Sequence, residues 1–270
     1  MARTVLITGA AGNLGGKLAR HFETLGWDLR LVDAQGGDGI ERFDLSVWDD
    51  AWAQRFAGVD AVILFAGDPR PEAPWDKIVP LNLDLVLNVY EAAALYKVRR
   101  VIFASSNWTM AGHRFDDGAL PTDRTPRPVN AYGMSKLVGE RIGKSFAERR
   151  GVSSISFRIG WCQHGANQPG PHMDWADWGQ GMWLSDRDMA QGFEKAVRAP
   201  DSVRFAVLNL MSANPGMRWD IETTRKTIGY VPQDGAAPVL SQAQHDGAAL
   251  TRRTVAMIEA AKDWVRDTKW

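Results

Sequence analysis

The chain carries a single cysteine, Cys162, in 270 residues. One thiol excludes an internal disulfide framework, and without a second cysteine at ligand spacing the usual zinc patterns are excluded as well. Cys162 therefore reads as a small buried hydrophobe, and no metal site is expected. Neither charge sign is in excess: Lys+Arg and Asp+Glu both number 32. Nothing in that balance favours nucleic acid or an anionic membrane surface as a partner. No apolar run approaches the length needed to span a bilayer, and the opening "MARTVLITGAAG" lacks a charged region followed by a long apolar core and a cleavage site. The chain reads as cytoplasmic, and small-molecule chemistry is the remaining expectation. There is no internal repeat. What the chain has in abundance is tryptophan, twelve residues concentrated in its later part.

Short apolar runs, "TVLIT" (4–8), "LRLVD" (29–33), "AVILFA" (61–66), "RVIFAS" (100–105) and "SISFRI" (154–159), alternate with helix-like stretches near 13–25, 47–57, 76–97 and 133–150. Continuous apolar strands separated by helices indicate a parallel sheet covered on both faces. Right-handed crossovers then give an α/β, Rossmann-type doubly wound sheet. After about residue 160 the rhythm breaks into "GWCQHGANQPGPHMDWADWGQGMW", which suits an ordered loop folded over something. A helix near 186–198, a strand near 203–210 and a last helix near 247–265 complete a small substrate-binding cap, while "QDGAAPVLSQAQHDGAAL" reads as surface linker. One domain over 1–270 is expected, with a dinucleotide-binding core to about 160 and a mixed cap beyond it.

"TVLITGAAGNLGGKLARHF" sets Gly9, Gly12 and Gly15 between the first strand and its helix, with Asn13 and Leu14 inside the motif. A sharp turn and close approach of backbone amides to a pyrophosphate both demand missing Cβ atoms, and the helix N-terminus adds partial positive charge. A glycine triplet alone is weak, but its place after a strand and before a helix is the confirming arrangement. Asp33 ends the second strand, 18 residues beyond Gly15. A carboxylate there accepts from both ribose hydroxyls and repels a 2′-phosphate, and no arginine follows directly, so NAD is favoured over NADP.

"VNAYGMSKLVGE" places Tyr132 and Lys136 four apart, on one face of a helix. A free phenol near pKa 10 is too weak a base at neutral pH, and a neighbouring ammonium favours the phenolate. A hydroxyl at the end of the preceding strand, Ser105 or Ser106, completes a set able to hold and deprotonate an alcohol.

With "TGAAGNLG", "ASSN", "YGMSK" and the late "TIGYVPQDGA", the chain resembles an extended short-chain dehydrogenase/reductase of the NAD-dependent epimerase/dehydratase superfamily over nearly its full length. The resemblance implies that Tyr132 is the acid/base, that Lys136 lowers its pKa and binds the nicotinamide ribose, and that Ser106, three residues after Phe103, orients the reacting oxygen. It also marks Asp44 and Leu45 as adenine contacts, Ala66 and Gly67 as the turn beside pyrophosphate and ribose, Asn82 as a helix position facing the site, and Ile159 as a further cofactor contact. Helices 76–97 and 133–150 resemble the pair that builds a four-helix dimer interface in that superfamily, so a homodimer is expected.

Within it, "FASSNWTMAG", "LNLDLVLNVYEAA" and "FRIGWC" are most similar to bacterial uronate dehydrogenases, which oxidise C1 of a uronate with NAD. The departures fall on the substrate side. Trp108 replaces a histidine, Trp161 replaces a serine, and the carboxylate-binding arginine has no clear counterpart, with Trp178 close to its position. The expected substrate contacts are accordingly Ser106, Asn107, Trp108, Arg70, Trp161 and Trp178. Indoles suit an apolar alcohol, a sugar packed through its C–H face, or a cation, whereas a buried carboxylate without a cationic partner is costly. Arg70, His113, Arg114, His172 and Arg187 stand as alternative polar partners. The leading expectation is NAD-dependent oxidation of a secondary alcohol or cyclic hemiacetal. A nucleotide-sugar epimerase or dehydratase is weighed against it, with only about 110 residues after "FRIGW" to hold a nucleotide, as is an NAD-sensing regulator without turnover.

Overall fold

The computed structural model describes residues 3–268. In chain order its elements are β1 (Thr4–Thr8), α1 (Asn13–Thr24), β2 (Asp28–Asp33), β3 (Ile40–Arg42), α2 (Asp50–Ala53), β4 (Ala61–Leu64), α3 (Trp75–Ile78), α4 (Leu85–Leu95), β5 (Arg100–Ser106), α5 (Ala131–Arg149), β6 (Ser153–Ile159), α6 (Ala176–Gly181), α7 (Asp186–Arg198), β7 (Phe205–Leu210), α8 (Glu222–Ile228) and α9 (Gln242–Asp267). All seven strands are parallel, in the order β3-β2-β1-β4-β5-β6-β7. The chain reverses its direction of travel across the sheet between β1 and β4, and a crevice opens at the carboxyl ends of the strands on either side of such a switch.

Alternation along the central strands feeds two cores. Val5 and Ile7 of β1, Ile63 of β4 and Ile102 of β5 pack with Leu18 and Phe22 of α1 and Phe193 of α7. Leu6, Val62, Val101 and Phe103 point the opposite way, onto Val86, Val89 and Tyr90 of α4 and Phe146 of α5. The period of two along each strand assigns every apolar side chain to a layer. α5 lies unusually close to the sheet, because a Cβ on Gly139 would sit 2.4 Å from the Phe103 ring. That approach sets the depth of the residues one turn and two turns before it.

Several elements differ from the sequence expectation. β3 is a three-residue edge strand, too short to show a pattern. The helix expected over 47–57 is a four-residue α2 with a 3₁₀ turn at Gln54–Phe56, capped by the Asp49 carboxylate accepting from the Ala51 N–H. Between α3 and α4 the chain stays helical but widens to a π-turn at Val79–Asp84, where Pro80 lacks an N–H to give the helical ladder. That whole stretch, Trp75–Leu95, is the one helix among the described residues long and apolar enough to cross a membrane, although the sequence reading found no such run. Its α4 part packs on the sheet through Val86, Val89 and Tyr90, which accounts for the apolar composition. The segment assigned to a linker is half helix: α9 begins at Gln242 because Ser241 and Gln244 form a reciprocal capping box.

A third apolar cluster joins Met110 and Leu120, from the segment between β5 and α5, to Trp178, Met182, Met211 and Trp219 from beyond β6. β7, which lies in the segment expected to form the cap, pairs with β6 in the main sheet, and α8 and α9 follow it.

Candidate active site

Two clefts meet at the carboxyl edge of the sheet. The first, about 670 Å³, runs from the glycine loop past Asp33, Asp44 and Leu45 to Ala66 and Gly67, and ends at Ser106, Tyr132, Lys136 and Ile159. The second, about 660 Å³, opens from the same end under the cap and is lined by Trp108, Trp161, Trp175, Asn107, Glu72 and Asp174. Leu14, Ser106, Tyr132, Gly160 and Cys162 border both. The shared border is where a reacting atom would sit between a cofactor and a substrate.

The glycine loop has the shape a dinucleotide requires. Gly9 turns the chain at φ 71°, and a Cβ on Gly15 would stand 2.1 Å from the Gly9 carbonyl oxygen. α1 starts at Gly12 with no side chain accepting from its first amides, which leaves those N–H groups for an anion. Asp33 braces the loop: its Oδ2 accepts from Ala11 N–H at 3.1 Å and its Oδ1 from Gln35 N–H at 2.9 Å. Each carboxylate oxygen keeps a lone pair for a ribose hydroxyl. Arg42, the register partner of Asp33 on β3, was invisible to a search for cations just after Asp33. Its Nε donates to Ala34 O at 3.1 Å, so one cation does stand beside the ribose end of the cleft. Asn13 ties the loop to the cap by donating to Cys162 O at 3.1 Å.

The two serines of "ASSN" separate cleanly. Ser105 Oγ donates to Glu140 Oε1 at 2.7 Å within a buried network. Ser106 Oγ accepts from Trp108 N–H at 3.2 Å, caps the 3₁₀ turn Asn107–His113, and faces both clefts. Asn107 is turned to the sheet, its Nδ2 donating to Ile159 O at 3.0 Å. Asn130 caps α5 by accepting from Gly133 N–H at 2.7 Å, and Tyr132 and Lys136 follow on the face toward the clefts. Lys136 Nζ lies 5.5 Å from the centre of the Tyr132 ring and 5.1 Å from that of Phe103.

Burial pushes the Tyr132 phenol up to about 12; a hydrogen bond with Ser106 pulls it down and the Asp68 carboxylate adds to the rise. Burial lowers the Lys136 ammonium to about 8. In the free protein the phenol thus keeps its proton, and a positive charge arriving beside it is what would release that proton near neutral pH.

Asp68 escaped the sequence reading although it directly follows Gly67. It is buried, and its backbone is clamped by Asn82, whose Oδ1 accepts from Asp68 N–H at 2.7 Å and whose Nδ2 donates to Asp68 O at 3.0 Å. The Asn82 side chain is thereby spent on the loop, and reaches α5 by donating to Ser135 Oγ at 3.3 Å. Arg70 is likewise spent: its Nε and Nη2 donate to the two Asp68 oxygens at 2.9 and 2.5 Å. It borders the cofactor cleft and not the indole cleft, so the structure does not place it among the substrate contacts expected from sequence.

Trp178 is the other departure. It stacks on Trp219 at 4.5 Å between ring centres, inside the third apolar cluster, and lines neither cleft. Trp175, three residues earlier, stands in the indole cleft with Trp108 and Trp161. A helical face cannot distinguish them from "MDWADW", because Trp175 has left-handed backbone, φ 65°, just before α6. His113, Arg114, His172 and Arg187 also stay out of the indole cleft. His113 bonds Asp116 and Thr125 O, His172 bonds Gln163, and Arg187 bonds Asp234.

A model of the NAD dependent epimerase/dehydratase family matches residues 5–162. An L-arabinose 1-dehydrogenase (NAD(P)(+)) of Haloferax volcanii is 34% identical over 258 residues, spanning 89% of this chain and 100% of the relative. An NAD-dependent glucose-6-phosphate dehydrogenase of the same organism is 33% identical over 258 residues, spanning 88% of this chain and 95% of the relative. Among solved structures, a mutated uronate dehydrogenase superposes with a TM-score of 0.75 at 30% identity, covering 87% of this chain and 83% of that one.

Proposed function

The chain belongs to the NAD dependent epimerase/dehydratase family, and from that premise we propose that it oxidises the C1 hydroxyl of a sugar in its cyclic hemiacetal form with NAD, through Ser106, Tyr132 and Lys136. The observation that carries this reading is the junction of the two clefts, where Ser106 and Tyr132 face both at once. The glycine loop fits the cofactor, since the space a Cβ of Gly9 or Gly15 would fill is already closed by backbone. The relatives reported above are dehydrogenases, which favours net oxidation over epimerisation.

NAD in the first cleft supplies the hydride acceptor, nicotinamide C4. Ser106 donates to the sugar oxygen and fixes it beside Tyr132. Tyr132 takes the hydroxyl proton as the C1 hydrogen leaves with its electron pair, so that the hemiacetal becomes a lactone. Lys136, which lines the same cleft, would hold the nicotinamide ribose of the bound cofactor, and its ammonium would favour the phenolate. NADH appearing at 340 nm on addition of an aldose to protein and NAD is the test, and no signal across pentoses, hexoses and uronates would sink the reading.

Asp68 opposes the ionisation of Tyr132 from close by. In Asp68→Asn the anion is gone and Arg70 is left as an unpaired cation, and both changes lower the phenol pKa. The acid limb of the kcat/KM profile for oxidation is expected to move to lower pH. An unmoved limb would show that the titration belongs elsewhere.

A homodimer through α4 and α5 belongs to the same proposal. Leu87 and Leu95 of α4 are 44% and 59% exposed, and Met134 and Val138 of α5 are 41% and 37% exposed. Four large apolar side chains on adjacent helices are an unusual amount to leave in water. Light scattering should give twice the 29.9 kDa chain mass, and Leu87→Glu with Val138→Glu should halve it.

A further inference from the structure

We propose that the second cleft selects an uncharged sugar, packed on an indole wall and holding its hydroxyls against Glu72 and Asp174, and that it rejects anionic sugars. This inference rests on the dehydrogenase reading above and names the substrate class of that site. Membership of the family does not decide the matter, because the relatives are named for a neutral pentose, a sugar phosphate and a uronate.

Three observations converge. First, Trp108 meets Trp175 edge to face at 5.1 Å, and Trp175 meets Trp161 at 5.4 Å. Rings this close pack on one another and leave no gap between their faces for a cation, so they form a continuous apolar wall. Such a wall suits the C–H face of a pyranose. Second, among the described residues no lysine, arginine or histidine lines this cleft, and the charged side chains that do are the carboxylates of Glu72 and Asp174. Carboxylates accept hydrogen bonds from sugar hydroxyls but repel a carboxylate or phosphate, which would find no cationic partner beside Glu72 and Asp174. Arg70, which borders the first cleft, is bound to Asp68. Third, Trp175 and Ala176 both hold left-handed backbone, φ 65° and 52°. Two successive non-glycine residues in that region are costly, and the strain places the Trp175 indole in the wall beside the Asp174 carboxylate.

The test uses sugars that share ring stereochemistry and differ at C5. In the galacto series these are L-arabinose, D-fucose and D-galactose against D-galacturonate and D-galactose 6-phosphate; in the gluco series, D-xylose and D-glucose against D-glucuronate and D-glucose 6-phosphate. In at least one series, kcat/KM for the neutral members should exceed that of the anions by roughly 10²-fold. Glu72→Gln with Asp174→Asn should raise KM for neutral sugars and narrow the gap, with kcat little changed. A uronate or phosphate within tenfold of its neutral partner in the series that is turned over faster overturns the inference while leaving the dehydrogenase intact. If no sugar is turned over, the dehydrogenase reading fails, and equilibrium binding to the NAD-loaded protein by intrinsic fluorescence decides the selectivity. Tighter binding of neutral sugars then supports it, and equal, reversed or absent binding overturns it.

Discussion

Tyr132→Phe is expected to lower kcat for sugar oxidation by roughly 10²–10⁴-fold, the range over which a positioned acid/base contributes. The fold should be untouched, because the phenol's hydrogen-bond partner is the Ser106 side chain at the very end of β5, and its ring can stay beside Lys136 Nζ, 5.5 Å from the ring centre. NAD affinity should hold within a few-fold, since the glycine loop and Asp33 lie at the opposite end of the cleft. KM for the sugar should change less than kcat, because the indole wall and the two carboxylates remain in place. That split separates loss of a proton acceptor from loss of a binding site. Ser106→Ala should show the same pattern more weakly, whereas Ser105→Ala should leave kcat alone and reach the protein through stability, since its hydroxyl serves Glu140. A Tyr132→Phe protein retaining full activity would remove the mechanism altogether.

How much of this was legible in the sequence depends on how local the signal is. The Rossmann-type sheet declares itself because β1, β4 and the middle of β5 carry continuous apolar runs and helices separate most of the strands, both properties of a few consecutive residues. The glycine motif and the Tyr132–Lys136 pair are equally local, since a turn and a helical period fix their geometry. The cap is different. Trp175 and Trp178 are three residues apart and chemically identical, and only the left-handed backbone at Trp175 sends one indole to the cleft and the other to Trp219. Arg70 reads as a free cation until the fold shows Asp68 buried beneath it. The partner of a charge is a tertiary fact, and so is the set of residues that line a cleft.

The buried pair beneath the active site carries the largest effect expected on stability. Glu140 follows Lys136 by one turn on α5, and its Oε1 and Oε2 accept from Arg158 Nε and Nη2 on β6, each at 3.0 Å. Both side chains are only 3% exposed. Ser105 of β5 donates to the same carboxylate, and Arg158 Nη1 donates to Thr122 O at 3.2 Å, so one ion pair joins β5, β6, α5 and the loop ahead of α5. Desolvation has already taken most of what the pair gains by attraction, but removing one partner leaves a lone charge in a dry site. Glu140→Met should therefore cost about 3–5 kcal/mol. For a chain of this length that corresponds to a fall in Tm of roughly 6–20 °C by circular dichroism. Glu140→Met combined with Arg158→Met should recover much of the loss, because no charge is then left behind. If the double variant were as unstable as the sum of the single ones, packing around the two side chains rather than the stranded charge would be what holds α5 against the sheet.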